Sequence, residues 1–324
     1  RRAFTGLLQD VRPAARTPEA SLKSLSTRPG LRVELMAAEP LVRDPVAFDW
    51  GIDGKLWVAE MIDYPNGKTG DGRDGGKVVF LEDTDDDGRY DRSTLFLEGL
   101  NFPNGVHPWG KGILVTTAPD IIYAEDTDGD GRGDKVRKLY TGFGLGNQQH
   151  RVNTLVWGLD NWIHCANGDS GGNILSLLTG KTTSIRGRDF RIRPDQGLLD
   201  TCTGQTQFST TRDDWGNWFG CQNPRPMFHF VLGDHYLRRN PHSAAGGTTS
   251  TVAPSVGRVY PRSRLLPRFN DQHTANRFTS ACGLTIYRDN LLGPGFTGNA
   301  FVSEPVHNLV HRIVLEPRGV TFGS

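Results

Sequence analysis

The sequence predicts an all-β chain folded as a β-propeller of six blades. The main observation is a unit in which a turn leads into a short strand, and this unit occurs five times. Its copies span residues 54–60, 111–116, 161–166, 216–221 and 298–304. The chain also contains 40 glycines and 19 prolines, many of them at turns. Radial repetition of short strands is typical of propellers, and five copies plus a remainder favour six blades.

The two ends of the chain are predicted from simpler patterns. Residues 1–30 are expected to form an irregular lead-in with a short helix at residues 20–25, and residues 31–324 to form the propeller. A strand at residues 31–36 would pair with the last blade, because closing the ring removes exposed strand edges. Residues 313–322 look like the start of another blade. We therefore expect the propeller to be truncated at its C-terminal end.

Two acidic loops, residues 83–91 and 126–134, share the pattern D-x-D-x-D-G-x-x-D. Carboxylates at this density repel one another unless a cation lies between them. Ca²⁺ takes oxygen ligands from positions 1, 3, 5, 7 and 9 of such a loop, with glycine at position 6. The predicted calcium ligands are Asp83, Asp85, Asp87, the Arg89 carbonyl and Asp91, and then Asp126, Asp128, Asp130, the Arg132 carbonyl and Asp134.

These loops are not predicted to be EF-hands. An EF-hand has a bidentate glutamate at position 12, where this chain has Thr94 and Arg137. The flanking runs are short and rich in β-formers, which places each loop at the tip of a β-hairpin. Calcium is therefore expected to be structural. The alternative is a solvated acidic turn that holds no metal.

Polar side chains follow the ends of the repeated strands. Strand ends converge around the axis of a propeller, so these side chains predict a ligand site there. They are Glu60 with Asp63 and Tyr64, Asn167 with Asp169, Gln222 and Asn223 with Arg225, and Glu304 with His307 and Asn308. The alternative is that they cap strand ends and satisfy buried carbonyl groups.

Charge and cysteine content limit the partners and the compartment. The formal net charge is only +1 with both signs interspersed, which argues against nucleic-acid binding. No apolar run reaches the roughly 18 residues that a transmembrane segment needs. Four cysteines permit two disulfides, and Cys202 with Cys221 is the pairing that we expect first. Calcium loops load most readily where calcium is abundant, so a periplasmic or extracellular location is expected.

Several segments resemble the "membrane-bound dehydrogenase" β-propeller domain that is abundant in planctomycete-type bacteria. They are residues 39–49, 56–61, 103–106, 167–172, 213–220 and 304–312. That family is itself similar to soluble quinoprotein glucose and sorbosone dehydrogenases, which bind pyrroloquinoline quinone (PQQ) and calcium. The resemblance implies a quinoprotein-like oxidoreductase that oxidises a hydroxyl of a sugar or polyol and passes electrons to a cytochrome c partner.

The resemblance also implies a catalytic residue. In the quinoprotein dehydrogenases the catalytic histidine stands eight residues before a glycine, and a strand and a Gly-Asp-x-Gly turn follow. His150 stands eight residues before Gly158, and the turn follows at residues 168–171. His150 is therefore the candidate general base. The residues predicted to contact the cofactor or ligand are Glu60, Arg151, Asn153, Asn167, Asp169, Asn223, Arg225, Glu304 and His307.

Two departures from the quinoprotein pattern keep a second function open. Residues 203–208 stand where that pattern has an Arg-Asn-Pro-type motif. Thr154 stands where that pattern has an arginine, and an arginine would pair with the carboxylates of the quinone. The alternative is a non-catalytic, calcium-stabilised propeller that binds a glycan or a protein partner.

Overall fold

The fold is described by a computed structural model in which the described residues are 14–62, 64–67, 75–240, 242, 247–254, 259–262 and 276–324. Five antiparallel sheets within these ranges have the form of propeller blades. The strands of blades 1 and 2 are β1 (Pro45–Trp50), β2 (Leu56–Glu60), β3 (Gly76–Glu82), β4 (Arg92–Leu100), β5 (Gly105–Trp109), β6 (Gly112–Thr117), β7 (Asp120–Glu125) and β8 (Lys135–Phe143).

Blades 3, 4 and 5 repeat this arrangement. The strands of blade 3 are β9 (Asn153–Trp157), β10 (Ile163–Ala166), β13 (Phe190–Arg193) and β14 (Leu198–Thr201). Those of blade 4 are β15 (Thr210–Arg212), β16 (Trp218–Gln222), β17 (Arg225–Phe230) and β18 (Thr249–Ala253). Those of blade 5 are β19 (Cys282–Ile286), β20 (Ala300–Glu304) and β21 (Leu309–Ile313).

Contacts between blades confirm the propeller. The first strand of each blade contacts the first strand of the next, in the series β1, β5, β9, β15 and β19. The first strands therefore lie around a common axis, and successive sheets pack face to face. Apolar clusters fill the spaces between blades 1 and 2, blades 2 and 3, and blades 4 and 5. Five blades are formed by the described residues, where the sequence predicted six.

A hairpin from blade 3 completes blade 2. Strands β11 (Gly172–Ser176) and β12 (Thr182–Ser184) lie between β10 and β13 in sequence, yet β11 pairs with β8 of blade 2. This exchange gives blade 2 six strands. The buried Tyr140 hydroxyl on β8 donates to the Leu198 carbonyl of blade 3 at 2.9 Å. Blades 2 and 3 are therefore joined by both backbone pairing and a buried side-chain hydrogen bond.

The chain ends differ in part from the sequence prediction. Helix α1 (Pro18–Ser24) lies where a short helix was expected, and the Thr17 hydroxyl caps its N-terminus. The prediction that residues 31–36 form a strand that closes the ring is wrong, because this segment contains no strand. Instead the Tyr90 N–H donates to the Met36 carbonyl at 3.1 Å. Irregular chain thus covers part of blade 1.

The last described strands form a hairpin rather than a separate sheet of blade size. Strands β22 (Glu316–Arg318) and β23 (Thr321–Gly323) pair only with each other, and β23 contacts β18 of blade 4. The Phe322 ring packs edge-on against Phe219 with the ring centres 5.3 Å apart. This hairpin therefore extends the apolar cluster between blades 4 and 5.

The cysteines are unpaired, so the expected Cys202–Cys221 disulfide is wrong. Cys221 is fully buried in the cluster between blades 4 and 5, where its thiol donates to the Phe208 carbonyl. The Cys202 sulfur lies 4.0 Å from His164 Nδ1. Burial raises the pKa of both thiols. Among the described helices, none has the length and apolar character to cross a bilayer.

Candidate functional site

Strand direction places the two sets of predicted site residues at opposite ends of the blades. Because neighbouring strands are antiparallel, the β3–β4 and β7–β8 connections lie at one end and the β2–β3 connection at the other. Residues 83–91 and 126–134 are the β3–β4 and β7–β8 connections. His150 precedes β9 and Asp169 follows β10, which places both at the other end. We call these two ends the acidic-loop face and the His150 face.

The first acidic loop brings three of its aspartates together. Oxygens of Asp83, Asp85 and Asp87 lie within 4.8 Å of one another. The loop backbone holds this arrangement, because the Gly88 N–H donates to Asp83 Oδ2 at 2.8 Å. The Arg89 N–H likewise donates to Asp87 Oδ1 at 2.8 Å. The result is a group of three hard oxygen donors at the tip of a hairpin.

The second acidic loop has nearly the same geometry. Oxygens of Asp126, Asp128 and Asp130 lie within 4.8 Å of one another. Hydrogen bonds from the N–H groups of Gly129 and Gly131 hold the Asp126 carboxylate, and they lower its pKa. The loop backbone therefore already favours the ionised form of Asp126, which is the form that a hard cation requires.

The last aspartate of each loop, Asp91 or Asp134, forms hydrogen bonds within the loop, and its role as a calcium ligand stays a prediction. Asp91 accepts hydrogen bonds from the backbone N–H and the hydroxyl of Thr84. Asp134 accepts the same pair from Thr127. Both carboxylates lie outside the groups of three and close the base of the loop. The Arg89 and Arg132 carbonyls stay predicted ligands.

The second acidic loop also packs against blade 1. The Gly133 N–H donates to the Phe96 carbonyl at 3.0 Å. A Cβ atom at Gly133 would lie 2.9 Å from side-chain atoms of Phe96 and Leu97. Glycine is required here because the loop backbone approaches the neighbouring blade so closely. The conformation of this loop therefore affects the interface between blades 1 and 2.

On the opposite face, the imidazole of His150 lies between a carboxylate and an amide. Nδ1 is 3.6 Å from Asp169 Oδ2, and Nε2 is 3.0 Å from the Gln207 amide nitrogen. Because the amide NH₂ can only donate, Nε2 accepts and the ring proton is assigned to Nδ1, facing Asp169. The side chains of His150 and Asp169 are 31% and 29% exposed, so water and small ligands reach both.

The turn that carries Asp169 depends on a glycine. Gly168 has a φ of +74°, and a Cβ atom there would overlap the carbonyl oxygen of Arg151. The close approach brings the turn onto the segment that carries His150, and the Ser170 N–H donates to the His150 carbonyl at 3.1 Å. Burial raises the pKa of the Asp169 carboxyl, although the nearby His150 lowers it. The resemblance thus identified a real spatial pair in His150 and Asp169.

The two predicted cofactor-binding arginines are held by internal contacts. Arg151 is buried, donates to the Asn101 side chain at 3.2 Å and lies over the Phe102 ring. Burial lowers its pKa. Arg225 donates to the Thr251 hydroxyl at 3.1 Å and lies 4.4 Å from the centre of the Phe228 ring.

Two predicted site asparagines hold the backbone. Asn153 is buried and donates to the carbonyls of Arg151 and Gln207 at 2.9 and 2.8 Å. Asn167 is buried and donates to the carbonyls of Ile185 and Arg188. Their amide groups satisfy buried carbonyls, and for Asn167 this is the role that the sequence analysis gave as the alternative to a ligand site. Asn223 differs, because its backbone N–H donates to the Gln207 side chain that contacts His150.

The predicted acidic residues of blades 1 and 5 bind partners other than His150, Asp169 and Gln207. Glu60 is buried, accepts the Arg43 N–H at 2.7 Å, and has a pKa raised by burial. Glu304 is fully buried and accepts hydrogen bonds from Thr279 and Ser280. His307 Nδ1 lies 3.1 Å from Glu304 Oε1. Asp63 lies outside the described residues.

Three residues that shape the site, Gln207, Gln205 and Asp189, are not among those predicted from the sequence. Gln207 contacts His150, and Gln205 interacts with the Asp169 carboxylate. Both lie in the segment where the chain departs from the quinoprotein pattern, so that departure was the available signal. Asp189 is buried behind them and gives no sequence signal.

Comparison with known proteins finds one family and several solved structures of low sequence identity. A family model described as a domain of unknown function, DUF7133, matches residues 17–324. One similar solved structure is a Thermus thermophilus protein provisionally described as an oxidoreductase (glucose dehydrogenase). The two chains are 15% identical with a TM-score of 0.49, and the match covers 91% of this chain and 85% of that chain.

Two further solved structures are similar at lower identity. One, described as glucose dehydrogenase, has 10% identity and a TM-score of 0.46, with 87% and 85% of the two chains covered. The other, a catalytically inactive virginiamycin B lyase from Staphylococcus aureus, has 12% identity and a TM-score of 0.40, with 87% and 73% covered. No curated protein matches the chain.

Proposed function

We propose that this chain, which belongs to the DUF7133 family, is a calcium-stabilised propeller. It binds a sugar or polyol by contacting a hydroxyl group of that ligand with His150. One observation carries the proposal. The accessible imidazole of His150 lies between the Asp169 carboxylate and the Gln207 amide, so a nitrogen acceptor and two further groups that can bind hydroxyls lie side by side. Sugars and polyols present adjacent hydroxyls, each of which can both donate and accept.

The geometry suggests how a hydroxyl would bind. His150 Nε2 accepts from Gln207, so a ligand hydroxyl that displaces this amide can donate to the same nitrogen. The freed Gln207 amide and the Asp169 carboxylate can then bind neighbouring hydroxyls. His150 would act as a general base if the hydroxyl proton of the ligand moved to Nε2, and Asp169 would then stabilise the positive imidazole.

We propose that the two acidic loops hold Ca²⁺. The three carboxylates in each loop fit a hard cation that takes roughly six to eight oxygen ligands. The loops lie on the acidic-loop face, away from His150, which supports a structural role. The expected location outside the cytosol follows from this calcium dependence and belongs to the same proposal.

Quinoprotein-like oxidation of the bound hydroxyl, with a cytochrome c acceptor, is a second candidate. The His150–Asp169 pair favours it, since a base must remove the hydroxyl proton. PQQ would supply the hydride acceptor, and its carboxylates need free cations. Arg151 and Arg225 each donate to a neutral side chain, Asn101 and Thr251, and each lies over an aromatic ring. PQQ would have to displace these contacts, so the site is not preformed for it and we derive no oxidation step.

Titration calorimetry with a panel of monosaccharides and polyols tests the binding proposal. His150→Ala should weaken the best ligand by at least about tenfold, because a hydrogen bond at the site is lost. His235→Ala, on the short helix α2 (Asp234–Leu237), serves as the control and should bind like the wild type. Equal affinity in the wild type and in His150→Ala would refute the proposed site.

A separate titration with PQQ and calcium distinguishes the two candidates. We expect no quinone absorbance on the protein at micromolar PQQ, because PQQ would have to displace the internal contacts of Arg151 and Arg225. Stoichiometric binding of PQQ that disappears in Arg151→Ala would establish the oxidoreductase candidate instead.

A further inference from the structure

Asp189 is a buried carboxylate that connects two loops, one containing Asn167 and the other containing Thr206. It lies just before β13 and is only 2% exposed. Its Oδ1 accepts the backbone N–H groups of Asn167 and Thr206, each at 2.9 Å. Its Oδ2 accepts the Thr206 hydroxyl at 2.6 Å. A single carboxylate thus binds the backbone of both loops.

The backbone of Asp189 strengthens the same connection. Its N–H donates to the Gly204 carbonyl at 2.7 Å, and its carbonyl accepts the Cys202 N–H at 2.7 Å. The two loops also meet directly, since the Gly168 N–H donates to the Thr206 carbonyl at 2.9 Å. Asp189 therefore lies at the centre of a fully hydrogen-bonded unit.

The two loops carry the groups on either side of His150. Asp169 is two residues beyond Asn167 and faces Nδ1, while Gln207 is one residue beyond Thr206 and faces Nε2. Asp189 is not among the side chains that contact the imidazole. A shift of either loop would move one partner of His150 relative to the other.

The free-energy cost of burying the Asp189 carboxylate indicates that its position in the fold has a structural role. Burying a carboxylate lowers stability unless a cation or several donors compensate. No arginine or lysine forms an ion pair with Asp189 in the part of the chain that the structure describes, so hydrogen-bond donors alone hold it. These donors all belong to the two loops.

We infer that Asp189 is a positioning residue: it fixes the loops that carry Asp169 and Gln207 and thereby sets the orientation and tautomer of the His150 imidazole. The part of this inference that concerns ligand affinity rests on the proposed function. The part that concerns the imidazole is a property of the free protein.

Asp189→Asn is the test variant, since it keeps the size of the side chain but cannot accept all of the hydrogen bonds. The readout is the pair of ¹⁵N chemical shifts of the His150 ring, which report the tautomer. We expect the wild type to have mainly Nδ1–H, and Asp189→Asn to have a mixture of the two tautomers. Thr206→Ser keeps the hydroxyl and should give the wild-type shifts, whereas Thr206→Val should resemble Asp189→Asn.

Asp213→Asn is the matched control. Asp213 is also buried, at 6% exposure, and accepts backbone N–H groups of Trp215 and Asn217, but it lies in the β15–β16 turn on the acidic-loop face. It should lower stability without changing the His150 ring shifts. Identical ring shifts in wild type, Asp189→Asn and Asp213→Asn would overturn the inference.

Ligand binding separates failure of this inference from failure of the proposed function. With the best sugar or polyol, Asp189→Asn should bind about tenfold more weakly, because the shifted loops misplace one hydrogen-bonding partner of the ligand beside His150. If the wild type binds no such ligand while Asp189→Asn still changes the ring shifts, the proposed function fails and the positioning role stands. If the ring shifts stay unchanged, the positioning role fails whatever the affinity.

Discussion

At the scale of single residues, Asp189 should make stability depend on pH. Burial raises its pKa to about 6, although hydrogen bonds from Thr206 and Asn167 lower it. The unfolded chain has the ordinary value near 3.9, so between pH 4 and 6 the folded state binds more protons. Asp189 therefore contributes stability at pH 4 that is lost as the pH rises through about 6. The full effect is about 3 kcal/mol.

Urea unfolding of wild type and Asp189→Asn from pH 4 to 7 measures this contribution. Asparagine does not titrate, so Asp189→Asn should gain up to about 3 kcal/mol relative to wild type as the pH rises. Other carboxyl groups contribute equally to both proteins and cancel in the difference. A difference that is independent of pH would contradict the raised pKa.

A second prediction at this scale concerns Gly168. Gly168→Ala should destabilise the protein by at least about 2 kcal/mol, because alanine combines an unfavourable positive φ with overlap on the Arg151 carbonyl. Gly180 has a φ of +71° but nothing within 4 Å of a Cβ atom. Gly180→Ala should therefore cost only about 1 kcal/mol. Equal losses in chemical denaturation would show that the close approach has no energetic effect.

Sequence reasoning found some of the site residues and not others, for physical reasons. The spacing of His150 and the Gly-Asp-x-Gly turn identified a pair that does meet. Asp189 could not be predicted, because a lone aspartate among arginines gives no sign of burial. Arg151 was expected to face a ligand, but sequence cannot tell a solvent-exposed arginine from one stacked on Phe102.

At the scale of elements, the acidic loops should respond to calcium through specific positions. Asp85→Asn removes one of the three clustered carboxylates and should abolish much of the rise in Tm that calcium produces. Asp86→Asn makes the same charge change one residue later, outside the cluster, and asparagine accepts its positive φ of 59°. It should keep the calcium response. If both variants respond equally, calcium acts through general charge screening.

The elements themselves were largely predictable. The repeated units coincide with β2, β6, β10, β16 and β20, because turn residues followed by a short, mainly apolar run mark the second strand of each blade. The pairing of β11 with β8 was not predictable, since the hydrophobic pattern of a strand does not specify which blade it joins.

At the scale of the whole molecule, calcium and ligand should act independently. The acidic loops and His150 lie on opposite faces and share no side-chain contact among the described residues. A chelator should lower Tm, while sugar or polyol affinity below the melting range changes by less than about twofold, as for uncoupled sites. Calorimetry with and without chelator measures both quantities. A large loss of affinity on chelation would show that the blades transmit a change between the two faces.

The hairpin that blade 3 donates to blade 2 bears on how such a ring could change size over evolutionary time. Gene duplication or deletion alters propellers most simply when each module closes on itself. Here, excising blade 3 would also remove β11 and β12 from the edge of its neighbour and expose β8. The smallest unit that recombination could move without harm is therefore the pair of blades together.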